Sequence, residues 1–222
     1  MIKVAAFFKR KKGCSVEAFQ SYWRTHHAEI AKRLPGLRRY VQCHTLAGVY
    51  KKHEPAYDGV AEIWFEDTDA LRKAAATDVF RAVKEDEPNF MDVGSYGDIV
   101  TEEHVIKDGP IPERGVKNIE FVKRRPDLDV EAFQKHWREI HGPLGASIPV
   151  VRRYVQCHTR LSGYRDGRTP AYDGLAMTWF DGVHTMRASA ETDEYKSTRA
   201  DEPNFVAGEL EFIITREHEM VA

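Results

Sequence analysis

The chain lacks the features that mark several protein classes. It has only three cysteines, an odd number, which argues against a disulfide framework and fits a reducing cytosol. No apolar run approaches the roughly 18 residues of a membrane helix. The run from Val4 to Phe8 is too short for a signal-peptide core, and no basic region precedes it. Neither sign of charge dominates. Thirty-three Lys and Arg face 35 Asp and Glu, for a formal net charge of −2. A general nucleic-acid binder usually carries a clear basic excess, so that class is disfavoured. There is no GxGxxG or GxxxxGK[ST] loop, no CxxC or HExxH spacing, and no GxSxG elbow. Those absences remove the signatures of a nucleotide cofactor, a zinc site and a serine hydrolase. What remains is a globular composition of 222 residues, 42% apolar and 31% charged, enough for one large domain or two small ones. The expected location is the cytoplasm, with no membrane or nucleic-acid partner.

What the chain does have is an internal repeat, which must be recognised before any fold is assigned. Arg38-Arg39-Tyr40-Val41-Gln42-Cys43-His44-Thr45 returns unchanged 114 positions later as Arg152 to Thr159. Val16 to Gln20 returns as Val130 to Gln134, and Trp23-Arg24 as Trp137-Arg138. Pro55 to Gly59 returns as Pro170 to Gly174, and Asp86 to Phe90 as Asp201 to Phe205. The spacing of these later pairs is 115, so one residue was gained or lost in the loop between them. The duplicates span residues 1–106 and 116–222, and the Gly- and Pro-containing stretch 107–115 reads as a linker.

Each half reads as βαββαβ. Residues 2–9 form a β-type run. Ser15 or Asp129 caps a helix that carries Val16, Phe19, Trp23 and Ile30 at helical spacing and stops before Pro35. Residues 37–45 and 57–65 alternate as strands. A helix is expected from Asp69 to about Asp86, closed by Pro88, and a last strand over 97–106. This is the ferredoxin-like, split-βαβ order of an α+β protein. Two such halves predict an eight-stranded barrel with the helices outside. Judged strand by strand, Leu37, Arg39, Val41 and Cys43 fit under the helices, as do Ala61, Ile63 and Phe65. Tyr40, Gln42, His44 and Trp64 are then expected to line a space between the sheets, an aromatic-walled pocket with a few polar groups.

The residues also resemble a known family. Phe19-x-x-Tyr22-Trp23-x-x-x-His27 followed by Leu34-Pro35-Gly36-Leu37-Arg38-Arg39-Tyr40 is similar to the EthD domain. So is Phe133-x-x-His136-Trp137-x-x-x-His141 followed by Ile148-Pro149-Val150-Val151-Arg152-Arg153-Tyr154. Tyr57-Asp58-Gly59, Trp64-Phe65 and Asp86-Glu87-x-x-Phe90 fit as well. The resemblance implies a dimeric α+β barrel, normally made by two chains and here fused, and it leaves room for a homo-oligomer. The wider superfamily holds cofactor-free cyclases, isomerases and monooxygenases as well as haem-binding enzymes, so the fold does not choose the reaction. The second copy departs at Glu29, which becomes Pro143, at Gly36, which becomes Val150, and at Glu62, which becomes Met177. The two pockets are therefore not expected to be equivalent.

Histidine is the usual acid–base group near neutral pH. His27, His141, His44 and His158 are the candidate catalytic residues. Tyr40 and Tyr154 are candidates to stabilise an enolate, Gln42 and Gln156 to orient a carbonyl, and Trp64, Trp179, Phe90 and Phe205 to form walls. Asp86 and Asp201 are expected to tie a helix end. No metal site or cofactor is expected. The leading expectation is a cofactor-independent lyase or isomerase acting on a small hydrophobic carbonyl or aromatic compound. The alternatives are a non-catalytic binding protein and a cofactor-free or haem-dependent oxygenase.

Overall fold

A computed structural model describes residues 1–222. The first repeat runs β1 (Ile2–Arg10), α1 (Val16–Tyr22), α2 (Ala28–Ala31), β2 (Leu37–Thr45), β3 (Gly59–Phe65), α3 (Thr68–Ala75), α4 (Asp78–Asp86) and β4 (Met91–Lys107). The second runs β5 (Val116–Val122), α5 (Val130–His136), α6 (Gly142–Ser147), β6 (Arg153–Thr159), β7 (Gly174–Phe180), α7 (Val183–Ser189), α8 (Asp193–Asp201) and β8 (Glu211–Val221). The strands form one closed barrel in the order β1-β3-β2-β8-β5-β7-β6-β4. This is the expected α+β, ferredoxin-like duplication. No helix is long and apolar enough to cross a membrane.

Two expected elements differ in detail. The single helix over 69–86 is two helices, because Thr77 is extended and caps α4 through its hydroxyl on Phe80 N. The last strand of the first half starts at Met91 and runs 17 residues. Its length bears on the compact units, which are Met1–Val100 with Thr215–Ala222, and Thr101–Ile214. In the first unit, Thr215–Val221 of β8 pairs with β2. In the second, Thr101–Lys107 of β4 pairs with β6. The sequence repeats and the folded units therefore differ by these strand tails.

In each half the first helix widens at its middle into a π turn, Trp23–His27 and Trp137–His141. The amide of Ala28 bonds to Trp23 O, five residues back, and Gly142 does the same to Trp137 O. Such turns recur at functional sites. Here they bury a tryptophan and a histidine on one helix face. The tryptophan lies so close to β3 or β7 that only glycine fits beneath it. A Cβ on Gly59 would sit 2.4 Å from the Trp23 ring, and one on Gly174 would sit 2.5 Å from the Trp137 ring. Gly59→Ala or Gly174→Ala is expected to cost about 1–3 kcal/mol in urea unfolding, as overpacking does. Unchanged midpoints would contradict this close approach.

Register decides which side chains share a face. Tyr40 pairs with Ile63, Gln42 with Ala61 and His44 with Gly59, while Val41 pairs with Glu62 and Arg39 with Trp64. Ala61, Ile63 and Phe65 lie under the helices as expected. The expected assignment of β2 is reversed. Tyr40, Gln42 and His44 lie on the helix side, and Arg39, Val41 and Cys43 on the opposite face. An irregularity between Leu37 and Arg39 shifts the pairing, so Leu37 and Tyr40 end up on the same side. Polarity within one strand could not reveal this shift.

Candidate active site

On the helix side of each unit, the repeated polar residues form a chain of hydrogen bonds that ends at a histidine whose buried Nδ1 has no partner. Gln42 Nε2 donates to Trp23 O at 2.9 Å and to the Tyr40 hydroxyl at 2.8 Å, and Gln42 Oε1 faces His44 Nε2 at 2.9 Å. The second unit repeats this with Gln156 Nε2 to Trp137 O at 2.7 Å, to Tyr154 OH at 3.0 Å, and Gln156 Oε1 to His158 Nε2 at 2.9 Å. His44 stacks on Trp23 and His158 on Trp137, each with ring centroids 4.5 Å apart. Burial pushes both imidazoles down to about 3, with neighbouring positive or imidazole groups adding to the effect. They are neutral at pH 7. Gln42, Gln156, His44 and His158 thus brace the helix against the sheet, and none of them borders a cavity.

Trp64 and Trp179 are on the opposite face. The Lys3 ammonium lies 5.1 Å from the Trp64 ring and the Lys117 ammonium 4.5 Å from the Trp179 ring. Lys3 also pairs with Glu62 at 2.7 Å. Cys43 Sγ lies 3.0 Å from Glu62 Oε1. Ligand atoms of Cys43, Glu62 and Glu217 come within 4.8 Å of one another. Lys3 already supplies a cation to that group.

The cavities lie between helices and sheet. The second unit holds one of about 280 Å³, and the first holds one of about 100 Å³. An engineered cavity of about 150 Å³ holds benzene, so the larger one admits a one- or two-ring compound. His141 and Tyr154 border the larger cavity. His27, Tyr40 and Phe90 border the smaller one. Phe205 packs behind His141 with centroids 4.7 Å apart.

The two walls differ by a set of replacements. Val4, Ala6, Ile63, Ala74, Phe80 and Val83 border the first cavity. Their counterparts Asn118, Glu120, Thr178, Ser189, Tyr195 and Thr198 border the second. Sequence reasoning missed these residues. The signal was available in the Val4/Asn118 and Ala6/Glu120 mismatches, in a strand that otherwise reads as apolar.

His141 is held by an acid. Its Nδ1 lies 3.1 Å from Asp201 Oδ2. Asp201 also takes His136 Nε2 at 3.0 Å and Asn204 Nδ2 at 3.0 Å. Burial raises the Asp201 carboxyl, but these hydrogen bonds outweigh it and hold the group below its ordinary range. Asp201 therefore does more than close a helix end. Burial lowers His141 against the opposing pull of Asp201, so the ring is neutral; with its Nδ1–H donating to the Asp201 carboxylate, Nε2 carries the lone pair. His27 and Asp86 form the matching pair at 2.8 Å in the first unit.

Glu120 and Glu202 both border the larger cavity. Burial raises Glu120, and burial together with the Glu120 charge pushes Glu202 up to about 7. A carboxyl raised in the folded state stabilises it below the unfolded value and ceases to do so as pH rises through the folded value. Wild-type protein is expected to lose on the order of 1–2 kcal/mol relative to Glu202→Gln between pH 4.5 and pH 8, after allowance for partial exposure. Urea midpoints of the two proteins across that range check it, and parallel profiles would refute it.

These features define a duplicated ferredoxin-like barrel with a histidine–aspartate pair in each half. The EthD domain model matches residues 11–94 and 125–209, and the chain belongs to that family. It is 29% identical over 91 residues to an uncharacterized 11.0 kDa protein of the thcB-thcC intergenic region of Rhodococcus erythropolis, covering 40% of this chain and 84% of that one. Among solved structures it is similar in fold to an anthrone oxidase-like protein, with TM-score 0.67 and 13% identity over 99% of this chain and 93% of that one. It is also similar to a chlorite dismutase mutant of Candidatus Nitrospira defluvii, with TM-score 0.55 and 9% identity over 97% and 91% of the two chains.

Proposed function

We propose that the second unit is a cofactor-independent proton-transfer site for a small carbonyl or aromatic compound, and that the first is its structural duplicate. The observation that supports this most is the one-sided change of wall. The same positions are apolar around His27 and polar around His141. In this reading His141 Nε2 removes a proton from carbon. The electron pair of that C–H bond becomes the C=C bond of an enolate, the C=O π pair moves onto the substrate oxygen, and a hydroxyl or a protonated carboxyl of the wall donates a hydrogen bond to that oxygen. Tyr154 is the donor in this reading, because it borders the same cavity as His141 and its hydroxyl oxygen accepts from Gln156. Burial raises its phenol, so it stays protonated. Return of the proton at another carbon gives isomerisation, and loss of a leaving group gives a lyase reaction.

The test is hydrogen exchange. Wild-type protein in D₂O with 2-tetralone or 1,3-dihydroxynaphthalene is expected to place deuterium on the acidic carbons faster than buffer does, read by NMR. Exchange at the buffer rate for both compounds would overturn the reading. Oxygen consumption in the same assay would instead favour cofactor-free oxygenation of the deprotonated ring.

A further inference from the structure

The polar wall of the second cavity is rich in acceptors. Glu120 Oε1 accepts from Asn118 Nδ2 at 3.2 Å, and Glu202 Oε1 accepts from Arg199 at 2.7 Å. The other oxygen of each carboxyl has no hydrogen bond within the protein. Asn118 Oδ1 is buried and also lacks a partner. His141 has spent Nδ1 on Asp201 and offers Nε2. Of the bordering cations, Arg199 is already paired with Glu202 and Arg187 is exposed. The rest of the wall is apolar and includes Ile148, Val151, Phe180, Met186 and Leu210.

From this arrangement we infer that the cavity receives a neutral aromatic compound of one or two rings bearing at least two hydroxyl groups, which donate to Glu120 and Glu202. The inference rests on the proton-transfer reading of the same cavity, but it concerns what binds there. In either protonation state each carboxyl keeps an accepting oxygen. A carboxylate ligand brings further acceptors and like charge into a wall that has no free inner cation. A bare hydrocarbon leaves both carboxyl groups desolvated without partners, and sites built to bond a hydroxyl reject analogues that lack it. The first unit keeps only one of the two carboxyls: Glu87, the counterpart of Glu202, borders its smaller cavity, but Val4 and Ala6 stand where the second has Asn118 and Glu120.

Calorimetric titration of the full chain at pH 7 tests this with 1,3-dihydroxynaphthalene, naphthalene and 2-naphthoate. The diol is expected to bind at least about tenfold more tightly than the other two. Glu120→Ala, the residue of the first unit, is expected to weaken the diol about tenfold and leave naphthalene unchanged. Glu120→Gln, which keeps an accepting oxygen, is expected to retain most of the affinity. Naphthoate binding as tightly as the diol, equal diol affinity in Glu120→Ala, or no diol binding at millimolar concentration would each overturn the inference. His141→Ala separates the two ideas. Diol binding that persists in this variant, with no exchange by the wild type, would sink the proton-transfer reading and leave the ligand assignment standing. Exchange on 2-tetralone without diol binding would do the reverse.

Discussion

His141→Ala is expected to lower the exchange rate by about 10²–10⁴-fold, the usual span for removing a positioned general base. His27→Ala, the same change at the matching place in the other repeat, is expected to leave the rate within about twofold. The contrast follows from the walls and not from the histidines. Both imidazoles are buried, and both have Nδ1 on an aspartate. His141 borders the cavity of about 280 Å³ with the more polar wall, whereas His27 borders the one of about 100 Å³ with the more apolar wall. Folding is controlled by circular dichroism, and His141→Gln provides a variant of closer shape. Equal losses in the two single variants would mean that the repeats are both active. No loss in His141→Ala would remove histidine from the mechanism.

The largest expected effect on stability is at Trp137. Its side chain is 1% exposed. The ring stacks on His158, meets Phe133 with centroids 5.5 Å apart, and covers Gly174. Trp137→Ala removes all of these contacts and leaves a cavity beside a neutral imidazole that the ring shields from water. Replacements of this kind cost about 3–5 kcal/mol. A domain is typically stable by only about 5–15 kcal/mol, so the variant should stand close to unfolding. Urea denaturation measures it, with Trp137→Phe expected to recover part of the loss. A cost below about 1 kcal/mol would show that the site collapses around the gap.

Much of the fold was legible in the residues. The duplicated Arg-Arg-Tyr-Val-Gln-Cys-His-Thr run, the caps at Ser15 and Asp129, and the helix stops before Pro35 and Pro149 announced two ferredoxin-like halves. The facing of β2 was not legible. Tyr40, Gln42 and His44 are polar enough to suggest a ligand pocket, yet they are spent on one another and on the backbone of Trp23. An internal hydrogen-bond chain and an open binding set use the same residue types, and only coordinates separate them. The site was half legible. His141 and Tyr154 stood out because they repeat. Glu120, Asn118 and Thr198 were overlooked because they do not, so in a duplicated chain the departures between copies carried the information about chemistry.

The exchange of strand tails has a consequence for how the molecule is made. The first compact unit includes Thr215–Ala222, whose pairing with β2 closes its sheet on that side. Domains ordinarily fold as they emerge from the ribosome, amino-terminal first. Here the amino-terminal unit must wait with the edge of β2 unpaired until more than a hundred further residues have been translated, and an unpaired strand edge is where chains aggregate. Synthesis of this protein therefore has a vulnerable interval, one that a slow stretch of translation would lengthen and that a chaperone guarding β2 would protect.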